Sequence, residues 1–316
     1  MKVILVINML HKSVLLNESI YNLNIKDGGL YVDMTLGYAG HSKEILKRNK
    51  KGFLFAFDKD IDAINHSSKV LDEIGDNYKI FNTGFINIKK CLQDEKIDKV
   101  DGILYDLGIS SPEIDQDSRG FSYMRDARLD MRMKQDSELS AYEVINNYKV
   151  EDLVRIFREY GEEKHALRIA KEIEKQRSIK EITTTLELVD IIDRCIPYKE
   201  KRNGHPAKKV FQAIRIEVNN ELEEFETSLR DSLSLLNVGG RICVITFHSL
   251  EDKICKRIFK EVSDVDELVK GNPFIEDDHL PDFKLITKKP ILPTSSELEY
   301  NSRAKSAKLR VIERIK

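Results

Sequence analysis

The 316-residue chain predicts an α/β fold, a mostly parallel sheet carrying an inserted, all-helical subdomain. Three observations predict it. Four apolar runs before residue 112 alternate with amphipathic segments, and each run ends on an acid, a glycine or a small polar residue, so their ends should share one edge of a sheet. From about Pro112 to Pro206 no comparable run occurs, and apolar residues fall at helical spacing instead. After Pro206 the strand and helix alternation returns. The expected division is 1–112 and 206–316 as two parts of one sheet domain, with 113–205 as the helical insertion.

The first strand, Leu30 to Val32, ends at Asp33 and passes into the loop Gly37-Tyr38-Ala39-Gly40, after which His41, Ser42 and Glu44 open a helix. Such a turn brings backbone N–H groups and the positive end of a helix to the carboxyl edge of a sheet, where nucleotide-like ligands bind. A Gly-x-x-Gly turn alone also occurs where nothing binds. The second strand, GFLFAF, is apolar on both faces, as in a parallel sheet, and closes on Asp58-Lys59-Asp60. An acid ending the second strand, roughly 20 residues past the glycine turn, accepts hydrogen bonds from ribose hydroxyls. Asp58 fits that place, and Asp60 is expected to cap the helix Ile61 to Leu71. Tyr78 to Phe81 runs into Asn82-Thr83-Gly84-Phe85, and Val100 to Tyr105 ends on Asp106-Leu107-Gly108-Ile109-Ser110-Ser111-Pro112.

The insertion should hold helices over Ala141 to Asn147, Val150 to Tyr160, Glu162 to Arg177 and Thr184 to Cys195, with Thr183 or Thr184 capping the last. Val210 to Leu236 reads as one long amphipathic helix stopped by Asn237-Val238-Gly239-Gly240. Arg241 to Phe247 is a fifth buried strand, followed by His248-Ser249 and another helix. Lys284 to Thr287 and Leu309 to Ile312 are expected to close the sheet as an antiparallel pair.

Composition narrows the function class. At 41% apolar and 34% charged residues the chain is globular rather than disordered, and no apolar run approaches the roughly 20 residues of a membrane span. The apolar start MKVILVINML lacks a small-residue cleavage site and is read as a strand or extension, which places the protein in the cytoplasm without a membrane partner. Cys91, Cys195, Cys243 and Cys255 form no C-x-x-C pair, so reduced thiols are expected and no metal site. A net charge of −2 argues against general adhesion to nucleic acid, leaving two basic stretches, Lys199 to Lys209 and Arg303 to Lys316. Such runs are commonly only solvated faces.

The strand ends together define one crevice, containing Gly37 to His41, Asp58, Phe85, Asp106 to Ser111 and His248-Ser249. There is no Gly-x-x-x-x-Gly-Lys-Ser/Thr loop for a triphosphate, and the first loop has no crowd of cations for a pyrophosphate. A nucleoside with little phosphate suits it better. S-adenosyl-L-methionine is such a ligand, with its ribose toward Asp58, its adenine toward Phe85 and its amino-acid tail toward the backbone of Gly40 and His41.

The residues also carry a family resemblance. HKSVLLNE from His11, DMTLGYAGHS from Asp33, DGILYDLGISS from Asp101, DSRGFS from Asp117 through LDMRM from Leu129, HPAKKVFQAIRIEVNNEL from His205, GGRICVITFHSLEDK from Gly239 and NSRAKSAKLR from Asn301 cover nearly the whole chain in order. The chain resembles the bacterial 16S ribosomal RNA cytosine-N4 methyltransferases of the RsmH (MraW) type. The resemblance implies a class I S-adenosylmethionine-dependent methyltransferase fold, Rossmann-like. It implies methylation of the exocyclic N4 of a cytidine in the decoding region, with 16S ribosomal RNA of the small subunit as partner. Donor contacts would fall on Ala39, Gly40, His41, Asp58, Phe85, Asp106 and Glu113, joined by Gly37 of the same loop. Two positions depart from the family's habit, Ala39 for a second glycine and Glu113 for a glutamine. Alanine there is mild at φ < 0 and costly at φ > 0.

The N4 lone pair of cytosine is delocalised into the ring, so an acceptor on the amino group would help it pyramidalise. Asp106 is one candidate; equally, it positions the donor, leaving Ser110, Ser111 or a main-chain carbonyl to hold the base. The base must be unstacked to enter. Phosphate contacts are expected from His205, Lys208, Lys209, Arg215, Arg303, Lys305, Lys308 and Arg310, with Arg119 and Arg132 beside the crevice. His248 suits either a base contact or a helix cap. The alternatives are methylation of another RNA or a protein, and a non-catalytic small-subunit assembly factor; a dehydrogenase is disfavoured because the three-glycine spacing is missing. The oligomeric state, a homodimer included, is open.

Overall fold

A computed structural model describes residues 13–109, 119–202, 204–265 and 279–316. The apolar start expected to be a strand or extension lies outside these residues. The chain divides into two compact units, one of residues 1–108 and 224–316, the other of 109–223. No helix among the described residues is long and apolar enough to cross a membrane.

The first unit is built on a sheet of order β3-β2-β1-β4-β5-β7-β6. Its strands are β1 (Leu30–Asp33), β2 (Phe53–Asp58), β3 (Tyr78–Asn82), β4 (Val100–Asp106), β5 (Leu236–Thr246), β6 (Phe283–Leu285) and β7 (Lys308–Arg314). The first five pair in parallel, while β7 runs antiparallel to both β5 and β6. This mostly parallel order with one reversed strand is the class I methyltransferase arrangement. Chain direction reverses its march across the sheet between β1 and β4, and the carboxyl ends on either side of that switch point form the natural binding crevice.

Helices α1 (Leu16–Leu23), α2 (Gly40–Arg48), α3 (Ile61–Asp72), α4 (Ile88–Asp94) and the later ones of this unit cover the sheet. The strands carry apolar side chains on both faces: Val32, Phe55, Phe57, Ile103 and Tyr105 enter one cluster, and Tyr31, Leu54, Ala56 and Leu104 the other. Asp60 caps α3 by accepting from the Asp62 N–H, the role its position suggests.

The second unit holds α5 (Ala141–Asn147), α6 (Val150–Glu159), α7 (Ala166–Arg177), α8 (Thr185–Cys195), α9 (Tyr198–Lys201) and α10 (Lys208–Asn219) around a core that includes Leu153, Phe157, Ile169, Leu188, Phe211 and Ile214. Thr184 caps α8 in a reciprocal box with Glu187. The expected start of α7 at Glu162 is too early, because Glu162 sits at φ 50 and the helix opens only at Ala166.

Three further expectations are corrected. The expected insertion boundary at 205/206 moves to 223/224, since Val210, Phe211, Ala213 and Ile214 of α10 pack into the helical core. The single helix expected over 210–236 is two, α10 and α11 (Glu221–Leu235), broken where Asn220 turns left-handed at φ 50, ψ 37. The break is held by Arg215, whose Nε and a terminal nitrogen each reach a Glu221 oxygen at 2.8 Å. Asn237 to Gly240 is not a helix stop but part of β5, which begins at Leu236 and meets β4 across an irregularity between Val100 and Gly102.

Candidate functional site

The crevice forms where β1, β2 and β4 end side by side. Asp33 is paired with Ala56 of β2 and Leu104 of β4, so the residues just beyond it arrive between the ends of those strands. Asp33 is fully buried; its carboxylate accepts from Ser42 Oγ at 2.6 Å and from the Thr35 N–H at 3.1 Å. Burial pushes its carboxyl up from the ordinary value. Thr35 in turn accepts at Oγ1 from the Asp106 N–H at 2.8 Å, tying the β1 end to the β4 end.

The loop from Gly37 to Gly40 is then pinned from both sides. Gly37, at φ 48, donates its N–H to Asp58 Oδ2 at 2.8 Å and accepts at its carbonyl from Ser67 Oγ at 2.6 Å. Asp58 Oδ1 accepts from the Asp60 N–H at 2.8 Å. Ala39 caps α2 in the left-handed region, at φ 61 and ψ 22, with its methyl buried. This is the costly case for alanine, on the order of 1–2 kcal/mol of local strain. A Cβ on Gly40 would lie 1.8 Å from Ser13 Oγ and 3.1 Å from its Cβ, so glycine lets Ser13 sit against the start of α2 in this rotamer.

His41 is buried on α2 with Nδ1 3.5 Å from Asp106 Oδ2. The Asp106 side chain is 22% exposed, yet its Oδ1 is buried and makes no hydrogen bond among the described residues. Burial, with Asp33, Glu251 and Glu297 nearby, holds the Asp106 carboxyl well above the usual carboxylate range. An acceptor with raised proton affinity and an unsatisfied oxygen suits an N–H-bearing or cationic ligand. Phe85, half-buried at the end of β3, lies edge-on to Tyr105 at 5.8 Å, and the Tyr105 hydroxyl is anchored to Ser228 and Ser232. The crevice therefore joins a carboxylate at the end of β2, an aromatic wall, a glycine loop and an orphaned carboxylate oxygen.

Relatives carry the same chain from end to end. A protein of Exiguobacterium sibiricum named ribosomal RNA small subunit methyltransferase H is 52% identical over 307 residues, 97% of this chain and 98% of its own length. One of the same name from Finegoldia magna is 53% identical over 307 residues, 96% of this chain and 98% of its own. A solved rRNA methylase from Streptococcus thermophilus aligns over 95% of this chain and 93% of its own at a TM-score of 0.44 and 11% identity. The profile of the MraW methylase family matches residues 8–315. The chain belongs to that family.

In this methylase several residues expected at the site make contacts within the fold, and His248 takes the capping role that was one of its two expected parts. His248 caps α12 (Ser249–Ser263): its Nδ1 accepts from the Glu251 N–H, and Glu251 accepts in return from the N–H groups of Phe247 and His248. Four arginines expected on phosphates are committed inside the fold. Arg119 is buried and donates to the carbonyls of Arg132 and Met133. Arg132 grips Asp130 with two nitrogens and the Ser137 carbonyl with a third. Arg215 pairs with Glu221, and Arg310 with Asp252, their side chains 14% and 11% exposed. Lys308 shares Asp252 at 2.9 Å.

His205 stacks on Tyr123 at 4.4 Å, and burial lowers its affinity for a proton, so it is an uncharged ring at neutral pH. Lys208, Lys209, Arg303 and Lys305 are exposed, and Lys209 also donates to the Glu162 carbonyl. Ser110, Ser111 and Glu113 lie outside the described residues. Asp33, Thr35 and Ser42 were missed as site residues. The signal that marked Asp58 and Asp106, an acid closing an apolar run, marks Asp33 equally.

Proposed function

We propose that this methylase transfers a methyl group from S-adenosylmethionine to the exocyclic N4 of a cytidine in the decoding region of 16S ribosomal RNA. The observation that carries the reading is the convergence of the Gly37–His41 loop, Asp58 and Asp106 on one sheet edge, with Asp106 Oδ1 buried and unsatisfied. The names of its relatives, small-subunit ribosomal RNA methyltransferases, support the RNA as substrate.

The residues present fit the donor. Asp58 stands at the end of β2 where a carboxylate can accept from ribose hydroxyls, Phe85 offers a ring for adenine, and the orphaned Asp106 oxygen suits an amino group or a positive charge. When bound, S-adenosylmethionine supplies a methyl already activated on a sulfonium. What the chain must add is alignment and a proton acceptor. Ionised, Asp106 accepts a hydrogen bond from the target amino group, favours a pyramidal nitrogen, and takes up the proton released as the N–C bond forms. The buried network from Ser42 through Asp33 and Thr35 to the Asp106 N–H ties the main chain that carries that carboxylate to the end of β1. Exposed Lys208, Lys209, Arg303 and Lys305 serve as phosphate contacts, and the helical unit reads RNA shape.

Mass spectrometry of small-subunit RNA with and without the enzyme tests the reading: N4-methylcytidine should appear only with it, and a methyl on any other base or molecule overturns it. Calorimetry adds a second check. Asp58→Ala should weaken donor binding by about tenfold or more, as expected for a lost charged hydrogen bond. A variant that binds no differently would place the ribose elsewhere.

A further inference from the structure

The antiparallel strand β7 delivers residues to the site that its sequence neighbourhood does not advertise. Lys308 at the start of β7 pairs with Thr246 at the end of β5, so the residues preceding β7 reach the same sheet edge where the parallel strands terminate. Among them is α13 (Ser295–Tyr300), capped by Thr294, and its Glu297 is only 5% exposed. Glu297 Oε1 accepts from the Leu15 N–H at 2.9 Å, a bond joining positions 282 residues apart. Leu15 is buried and left-handed, at φ 51 and ψ 35, a conformation a leucine holds only when its surroundings impose it. Two residues earlier, Ser13 closes over Gly40, with its Oγ where a Cβ on that glycine would be.

We propose that Glu297 is a positioning residue of the methyl-donor end: it clamps Leu15 and thereby seats Ser13 on Gly40. The inference rests on the donor site proposed above. The clamp links the two ends of the chain to the loop of residues 37–41, and two strained residues, Leu15 and Ala39, flank the contact it enforces. Asp33 is bonded into the β1 turn and Glu251 into the α12 cap, whereas the Glu297 bond is made to the segment covering the loop.

Two variants separate the clamp from mere loss of the side chain. In Glu297→Gln the amide carbonyl can still accept from Leu15, so binding of S-adenosylhomocysteine, measured by calorimetry, should stay within about twofold of wild type. Glu297→Ala loses the acceptor and should bind S-adenosylhomocysteine about tenfold more weakly while keeping its circular dichroism spectrum. Wild-type affinity in the alanine variant, or a loss in the glutamine variant as large as about tenfold, overturns the proposal. If Glu297→Ala does not fold, the affinity of Glu297→Gln decides alone. Wild-type enzyme that takes up no S-adenosylhomocysteine would instead sink the donor site itself, a different failure.

Discussion

Asp106 shows at one residue how stability and chemistry oppose each other. Its carboxyl binds a proton more tightly in the folded chain than in the unfolded one, because it is buried among other acids. Folding therefore favours its protonated form. Its contribution to stability is greatest at low pH and declines as pH rises from the ordinary 3.8 through the raised folded value. The proposed transfer uses the ionised form, so activity should rise over the range where this contribution is lost. Asp106→Asn should then lower kcat by about 10²- to 10⁴-fold. The same variant should melt slightly higher than wild type at neutral pH, by on the order of 1 kcal/mol, because a buried charge has gone; a lower midpoint would contradict this account. Ala39 is a second case. Glycine there would relieve the left-handed strain but give up a buried methyl and stiffen the chain less, terms of about 1 kcal/mol each, so Ala39→Gly should change stability by less than about 1 kcal/mol. Ala39→Val, with a branched Cβ at φ 61, should cost about 3 kcal/mol in denaturant titration. Neither fact was legible beforehand. Alanine carries no sign of its φ, and Glu297, within Ser-Ser-Glu-Leu-Glu, reads as one more solvated acid until the fold buries it.

Among elements, the strands were the easiest to see. GFLFAF and VDGILY are apolar without alternation because both faces of a parallel sheet are covered, and their terminal acids stand at the functional edge. The α10 and α11 break was hidden because apolar spacing runs straight through Asn220 and the bend depends on one backbone angle. The arginine pairings were hidden for a related reason: Arg215, Arg132 and Arg310 look like any basic surface until folding brings Glu221, Asp130 and Asp252 to them. The α8 cap, by contrast, is written in Thr-Thr-Thr-Leu-Glu and carries its own pH signature. Lys180, together with the N–H groups of Thr183 and Thr184, holds the Glu187 carboxyl down at about 2. Because its folded value is depressed, the stabilisation is present above the unfolded 4.5 and is lost as pH falls toward about 2. Glu187→Gln should flatten stability across that window and cost about 0.5–1 kcal/mol near neutrality, a modest figure because the side chain is 34% exposed and screened. Acid unfolding curves of the two proteins, compared between those limits, check it.

For the whole molecule, electrostatics must reconcile a net charge of −2 with the proposed RNA substrate. Many cations are already matched within the fold, so adhesion to RNA should depend on a small number of exposed ones. Lys208→Ala and Lys305→Ala should each weaken RNA binding across sequences and reduce the slope of log affinity against log salt by about 0.7, the single-strand value for one phosphate contact. Arg215→Ala should leave that slope unchanged and lower stability instead, since its partner Glu221 would lose a two-pronged contact. A salt titration of all three variants separates these outcomes.

The reversed strand also constrains when this enzyme can become active. A chain growing from its amino end completes β1 to β4 early, with the glycine loop, Asp58 and Asp106 already made. It still lacks β5, Glu297 and β7, which close the sheet and hold Leu15 in place. Until β7 emerges from the ribosome the proposed clamp is missing, so a nascent polypeptide truncated before residue 297 should bind the donor more weakly than the full chain however complete its loop.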